Sequence, residues 1–154
     1  MTNLESPWIV GFVDGEGCFF VGINRNSTMT TGFQVLPEFV ITQQKRDEQI
    51  LYALKHFWGF GTVRTNHGNR LCYRVRGLTH LQKTIIPFFE KHKLKTKKNI
   101  DFLKFRDILI MMEREQHLTI EGLLKIDAIR LEMNRGLTKP KKKLVEIDGK
   151  LYMQ

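Results

Sequence analysis

Residues 8–20 read WIVGFVDGEGCFF. Ser6-Pro7, just before them, is a helix-start signal: a serine N-cap with proline at the first helical position. The spacing predicts a helix from Pro7 to Val13 or Asp14, stopped by Gly15 and Gly17. Asp14 and Glu16 then stand at a helix C-terminus, where the terminal carbonyls disfavour each negative charge by about 0.3–1 kcal/mol. That placement calls for a positive partner. A divalent cation, magnesium or calcium, held by hard oxygen ligands is one. An exposed turn is the plainer reading, because Asp-Gly and Glu-Gly pairs are common turn formers.

Beyond this stretch the pattern changes period. In residues 18–24, CFFVGIN, the side chains Phe19, Val21 and Ile23 share one face. In residues 33–42, FQVLPEFVIT, so do Phe33, Val35, Phe39 and Ile41. Together these predict a β-hairpin with one buried face, with Pro37 at an edge or bulge and a polar, mobile connection, RNSTMTTG. Ile50, Leu51, Leu54 and Phe57 then recur at helical spacing, and GFG at 59–61 ends that helix. A second hairpin follows, TVRTN and RLCYRVR around HGN, and a helix over 78–92 that Pro87 bends or divides. Thr96 is placed to cap a helix over 97–114, and a last helix starts near Thr119. The fold class expected is α+β, with an antiparallel four-stranded sheet and the helices on one face. Residues 1–136 form the expected single domain, and 137–154 a basic, loosely held tail.

The chain has 154 residues and a net charge of +9, with a pI near 9.7. Such a balance favours a polyanionic partner, nucleic acid first and an anionic membrane second. No run approaches the length of a membrane span, and the start MTNLESPW lacks the features of a signal peptide. Cys18 and Cys72 are the only cysteines and lie outside any metal-ligand spacing, which points to a reduced compartment. None of the five histidines has a partner at a telling spacing.

The open sheet face is expected to carry Asn24, Gln34, Thr62, Arg64, Asn66, Arg70 and Arg74. Such side chains hydrogen-bond to base edges in a major groove, which a β-ribbon fits. An ordinary solvated face is the alternative, but the arginine bias of the second hairpin and its lack of acids favour DNA. Lys45, Lys97, Lys98, Lys139, Lys141, Lys142 and Lys143 could neutralise phosphates.

Residues 9–17, IVGFVDGEG, resemble the LAGLIDADG motif of homing endonucleases. FVITQQ is similar to the end of that family's second strand, GFGTVR to its third and YRVRGL to its fourth. IIPFFEKHKLKTKK is similar to the stretch leading into the C-terminal helices, and EGLLKIDAIRLEMNRG to tails of intron-encoded members. The resemblance covers most of residues 8–136. Val10 stands where the motif commonly has alanine and Glu16 where it commonly has aspartate, although glutamate also occurs there.

The resemblance implies an αββαββα fold with a saddle-shaped sheet, and a single-motif, homodimeric enzyme that cuts both strands of a long, pseudo-palindromic duplex. It implies Glu16 and the Gly15 carbonyl as metal ligands, with Mg2+ as the ion and Mn2+ or Ca2+ able to substitute in binding. Gln43 would order water around the nucleophile, and Lys95 would stabilise charge at the phosphate. The DNA contacts it implies are Asn24, Gln34, Glu38, Arg64, Asn66, Asn69, Arg70, Arg74, Lys97 and Lys98. Ile9, Val10, Gly11, Val13 and Gly15 would form the dimer interface. The competing functions are an intron maturase with intron RNA as partner, and a non-catalytic DNA-binding module. The expected location is intracellular, in an organelle (chloroplast or mitochondrion) or microbial cytoplasm, with no membrane association.

Overall fold

The computed structural model describes residues 2–135 and 141–154. Helix α1 (Ser6–Glu16) runs straight into strand β1 (Gly17–Arg25) with no loop between them. The helix thus reaches beyond the expected stop. Gly15 lies inside it, and Gly17, in extended conformation, is the residue that ends it, its amide donating to the Val13 carbonyl. Glu5, not Ser6, occupies the N-cap and makes no side-chain bond there. Strand β2 (Phe33–Gln44) follows, then helix α2 (Glu48–Trp58) and the hairpin of β3 (Thr62–His67) and β4 (Arg70–Val75). The sheet is four-stranded in the order β1-β2-β4-β3, and the β2–β4 and β3–β4 pairings are antiparallel. Helix α3 (Leu78–His80) leads through a π-helical turn, Leu81–Ile85, into α4 (Ile86–Lys91). The irregular turn ends two residues before Pro87, which has no amide to donate backwards. Helices α5 (Lys98–Glu113) and α6 (Ile120–Leu131) complete the α+β order, and Thr119 caps α6 by accepting from the Gly122 amide at 3.0 Å.

The chain divides into two compact units. The first comprises residues 1–19 and 38–99, the second residues 20–37 and 100–154. The first has an aromatic core in which Phe39 sits 5.2 Å from Phe19 and 5.7 Å from both Trp58 and Phe89, centroid to centroid. Tyr73 is fully buried there and donates to the Phe60 carbonyl at 2.9 Å. Burial pushes its hydroxyl pKa well up.

The second unit contains the far ends of β1 and β2. Their connection is ordered by hydrogen bonds rather than mobile: Asn26 Oδ1 accepts from the Thr28 amide and hydroxyl, and the Asn26 amide donates to the Gly32 carbonyl. In its described part the expected tail is a hairpin, β5 (Leu144–Ile147) with β6 (Lys150–Met153). Asp148 and Gly149 turn it at φ 52° and 77°, the paired positive values that a two-residue hairpin loop needs. No helix among the described residues is long and apolar enough to cross a membrane.

Candidate functional site

The two acids at the end of α1 have different surroundings. Asp14 is half-buried and accepts from the Lys95 amide at 2.8 Å, the Thr96 amide at 3.1 Å and the Thr96 hydroxyl at 2.7 Å. Burial alone would raise its carboxyl pKa. These bonds and the charge of Lys98 outweigh that and hold it below the usual value. The Lys98 ammonium in turn donates to the Val13 carbonyl at 3.1 Å and to the Gly17 carbonyl. The positive partner that the helix end calls for is therefore built into the chain: an ammonium and two amides. Lys98, expected to contact DNA, has its ammonium committed to the end of α1 instead.

Glu16 lies two residues beyond Asp14, in the same last helical turn, and is exposed. Among the described residues no group of three or more His, Cys, Asp or Glu side chains could hold a metal ion by itself. Magnesium does not require such a cage. It is commonly held by one or two carboxylates, with substrate phosphates and water filling the other positions. An exposed glutamate beside helix-end carbonyls, Gly15's among them, fits that donor set. Lys95 is exposed on the segment that Asp14 holds by its backbone, and Lys97 is exposed nearby in sequence. Gln43, the last residue but one of β2, lies opposite Leu71 and by register on the side of Phe39 and Ile41.

Ile9, Val10 and Val13, expected at a dimer interface, are buried within the chain's own fold, at 0%, 7% and 0% exposure. The helix face left open carries Trp8, Gly11, Phe12 and Gly15, at i, i+3, i+4 and i+7. Trp8 and Phe12 stack at 4.8 Å, and a Cβ built on either glycine meets nothing within 4 Å.

In the first unit, β3 and β4 set Thr62 opposite Arg74 and Arg64 opposite Cys72. Arg64, Arg74 and Arg76 line a cavity of about 270 Å³ with Thr62 and His80. Glu38, expected among the DNA contacts, lies 2.7 Å from the Arg76 Nε and 3.6 Å from the Arg74 Nε. It acts as their counter-ion. Arg76 was absent from the expected contact set, although it continues the alternation of Arg70, Cys72 and Arg74. The ladder shifts between Thr65 and His67, so that His67, not Asn66, pairs with Arg70. A bulge moves a side chain off the regular alternation. Arg70 is exposed, as is Asn69, whose carbonyl accepts from the Lys45 amide at 2.7 Å. In the second unit Asn24 is exposed, and Gln34 accepts from the Asn26 side chain at 2.9 Å. Lys139 lies outside the described residues.

The family model for LAGLIDADG endonucleases matches residues 9–109. The chain is 34% identical over 140 residues to the probable intron-encoded endonuclease 2 of Neurospora crassa, covering 90% of this chain and 31% of that protein. It thus spans under a third of that curated relative. Among solved structures, the homing endonuclease I-TnaI is 62% identical with a TM-score of 0.85, over 88% of this chain and 91% of that one. I-SmaMI, bound to its uncleaved DNA target in the presence of calcium ions, is 37% identical with a TM-score of 0.85, over 89% of this chain and 47% of that one. The motif that matches begins at Ile9 and holds both acids of the α1 terminus, and the match runs on through the sheet into α5: the chain belongs to the LAGLIDADG endonuclease family.

Proposed function

We propose that this protein is a site-specific homing endonuclease that hydrolyses both strands of a long, pseudo-palindromic duplex as a homodimer. The observation that carries the reading is the contrast at the end of α1. Asp14 is consumed by structural hydrogen bonds, and Glu16 is exposed with a helix end built beneath it.

Glu16, with the Gly15 carbonyl, would hold the divalent cation, with Mg2+ as the physiological ion. Such an ion polarises a scissile phosphate and lowers the pKa of bound water. Lys95 places positive charge where the pentavalent phosphate gains negative charge. Gln43 orients solvent toward the phosphorus. Arg64, Arg70 and Arg74 read base edges from the strand face, with Asn24 and Gln34 extending the contact set. Lys97 and Asn69 hold the backbone. Glu38 fixes Arg74 and Arg76 in place before DNA arrives, which lowers the ordering cost of binding.

One copy supplies one such end and half of a palindrome. The open face of α1, with two glycines between a stacked Trp8–Phe12 pair, suits close approach of the same helix from a second copy about a two-fold axis. I-SmaMI, of which this chain covers 47%, carries about twice the length in one chain, and a second copy would supply that length here. The intron-encoded Neurospora relative supports an intron-encoded origin for this chain.

The test is cleavage of a randomised duplex library with Mg2+, with Ca2+ and with chelator, mapping ends on both strands. The expected result is staggered or blunt ends on both strands in Mg2+ only, at one pseudo-palindromic sequence. Uncut duplex in Mg2+ alongside tight binding to intron RNA would contradict the reading and favour a maturase.

A further inference from the structure

The second unit contains a cavity of about 420 Å³ whose lining includes Asn24 and Arg25 at the end of β1, Arg130 at the end of α6, and Lys141 and Lys142 leading into the C-terminal hairpin. Among the described residues no carboxylate lines it. Arg130 is 6% exposed and its charge is balanced by Asp127, 2% exposed, at 2.7 Å. The charges of Arg25 and Lys142 face no carboxylate among the described lining residues. The Arg25 guanidinium is steadied over the Phe33 ring, 5.8 Å from its centroid.

The hairpin is latched to α6 by the same buried pair. The Leu144 amide donates to Asp127 Oδ2 at 2.9 Å, Arg130 donates to the Lys142 carbonyl at 2.7 Å, and the Lys141 ammonium donates to the Arg130 carbonyl at 2.9 Å and to the Met133 carbonyl. A buried ion pair contributes little net stability over apolar packing of the same volume, but these bonds fix the hairpin against α6. What they hold here is a basic chain segment at the exposed end of β1.

We propose that this cavity is a backbone seat, taking one or two phosphodiester groups of bound duplex DNA, and that the C-terminal hairpin is latched in order to build it. The inference rests on the reading of the chain as a DNA-binding protein. A seat of this kind contacts phosphates only, so it adds affinity without sequence information.

The experiment compares the salt dependence of duplex binding for the full chain and for Arg25→Gln/Lys142→Gln. A Lys83→Gln/Lys125→Gln double variant, which removes the same charge from exposed positions outside the cavity, is the control. In the cavity variant the slope of log Kd against log salt becomes shallower by about one to two per chain. Discrimination between matched and mismatched duplexes stays unchanged. Arg25→Lys/Lys142→Arg restores the slope, and melting curves confirm that each variant is folded. An unchanged slope in the folded cavity variant overturns the seat while leaving DNA binding intact, as does a loss confined to particular base pairs. Absence of salt-dependent duplex binding by the unaltered chain overturns the DNA-binding reading itself, and the seat with it.

Discussion

Asp14 and Glu16 differ by one methylene and two positions, yet they are put to different uses. Asp14 ties α1 to the segment before α5, 81 residues further along the chain, and Lys98, the first residue of α5, closes the helix end. Nothing local to VDGEG reveals this, because the partners are backbone amides brought near by the fold. What the sequence does reveal is that two carboxylates at a helix C-terminus must be compensated. Asp14→Asn removes the charge and keeps one acceptor. It should lower stability at neutral pH by on the order of 1 kcal/mol, a figure held down by solvent screening of a partly exposed group. Because the folded pKa of Asp14 lies below its unfolded value, its contribution is complete above the unfolded value near about 3.9. It is lost as pH falls through the folded value. Urea unfolding should therefore show the two proteins diverging above about pH 5 and converging below about pH 4.

At the level of elements, periodicity carried most of the information. The alternation in residues 18–24 and 33–42 matches the burial of Phe19, Val21, Ile23, Phe33, Val35, Phe39 and Ile41. The alternation was not sufficient where a ladder shifts, as at Thr65 to His67, since a bulge depends on the partner strand. The C-terminal hairpin has a weaker signature. IDGK at 147–150 carries an Asp-Gly turn signal, but its flanking strands are only four residues each, too short to alternate convincingly. Gly11 and Gly15 lie on the open face of α1, whereas Ile9, Val10 and Val13 belong to the inward face that any packed helix needs. Gly122 makes a sharper demand. A Cβ there would lie 1.8 Å from the Gln116 carbonyl oxygen, a backbone atom that cannot swing aside. Gly122→Ala should displace the start of α6 and cost about 3 kcal/mol or more, read as a lower urea midpoint with an unchanged slope. Tyr73→Phe removes the bond to the Phe60 carbonyl and should cost about 1 kcal/mol.

For the whole molecule, the proposal of paired copies predicts concentration-dependent mass. Sedimentation should give twice the mass of one chain, and Gly15→Arg, which places a long cation on the open face of α1, should shift it to that of one chain and abolish cutting of a palindromic site. Sedimentation at single-chain mass for the unaltered protein would rule out a shared two-fold site. The central claim is narrower: Glu16 serves chemistry where Asp14 serves structure. It is tested most directly by measuring Mg2+-dependent cleavage of the target duplex, together with melting temperature, for Glu16→Gln and Asp14→Asn. The account predicts that Glu16→Gln melts with the unaltered protein and still binds duplex, yet cuts slower by about a hundredfold to a thousandfold or more, while Asp14→Asn melts lower. Cleavage by Glu16→Gln at the unaltered rate would contradict it.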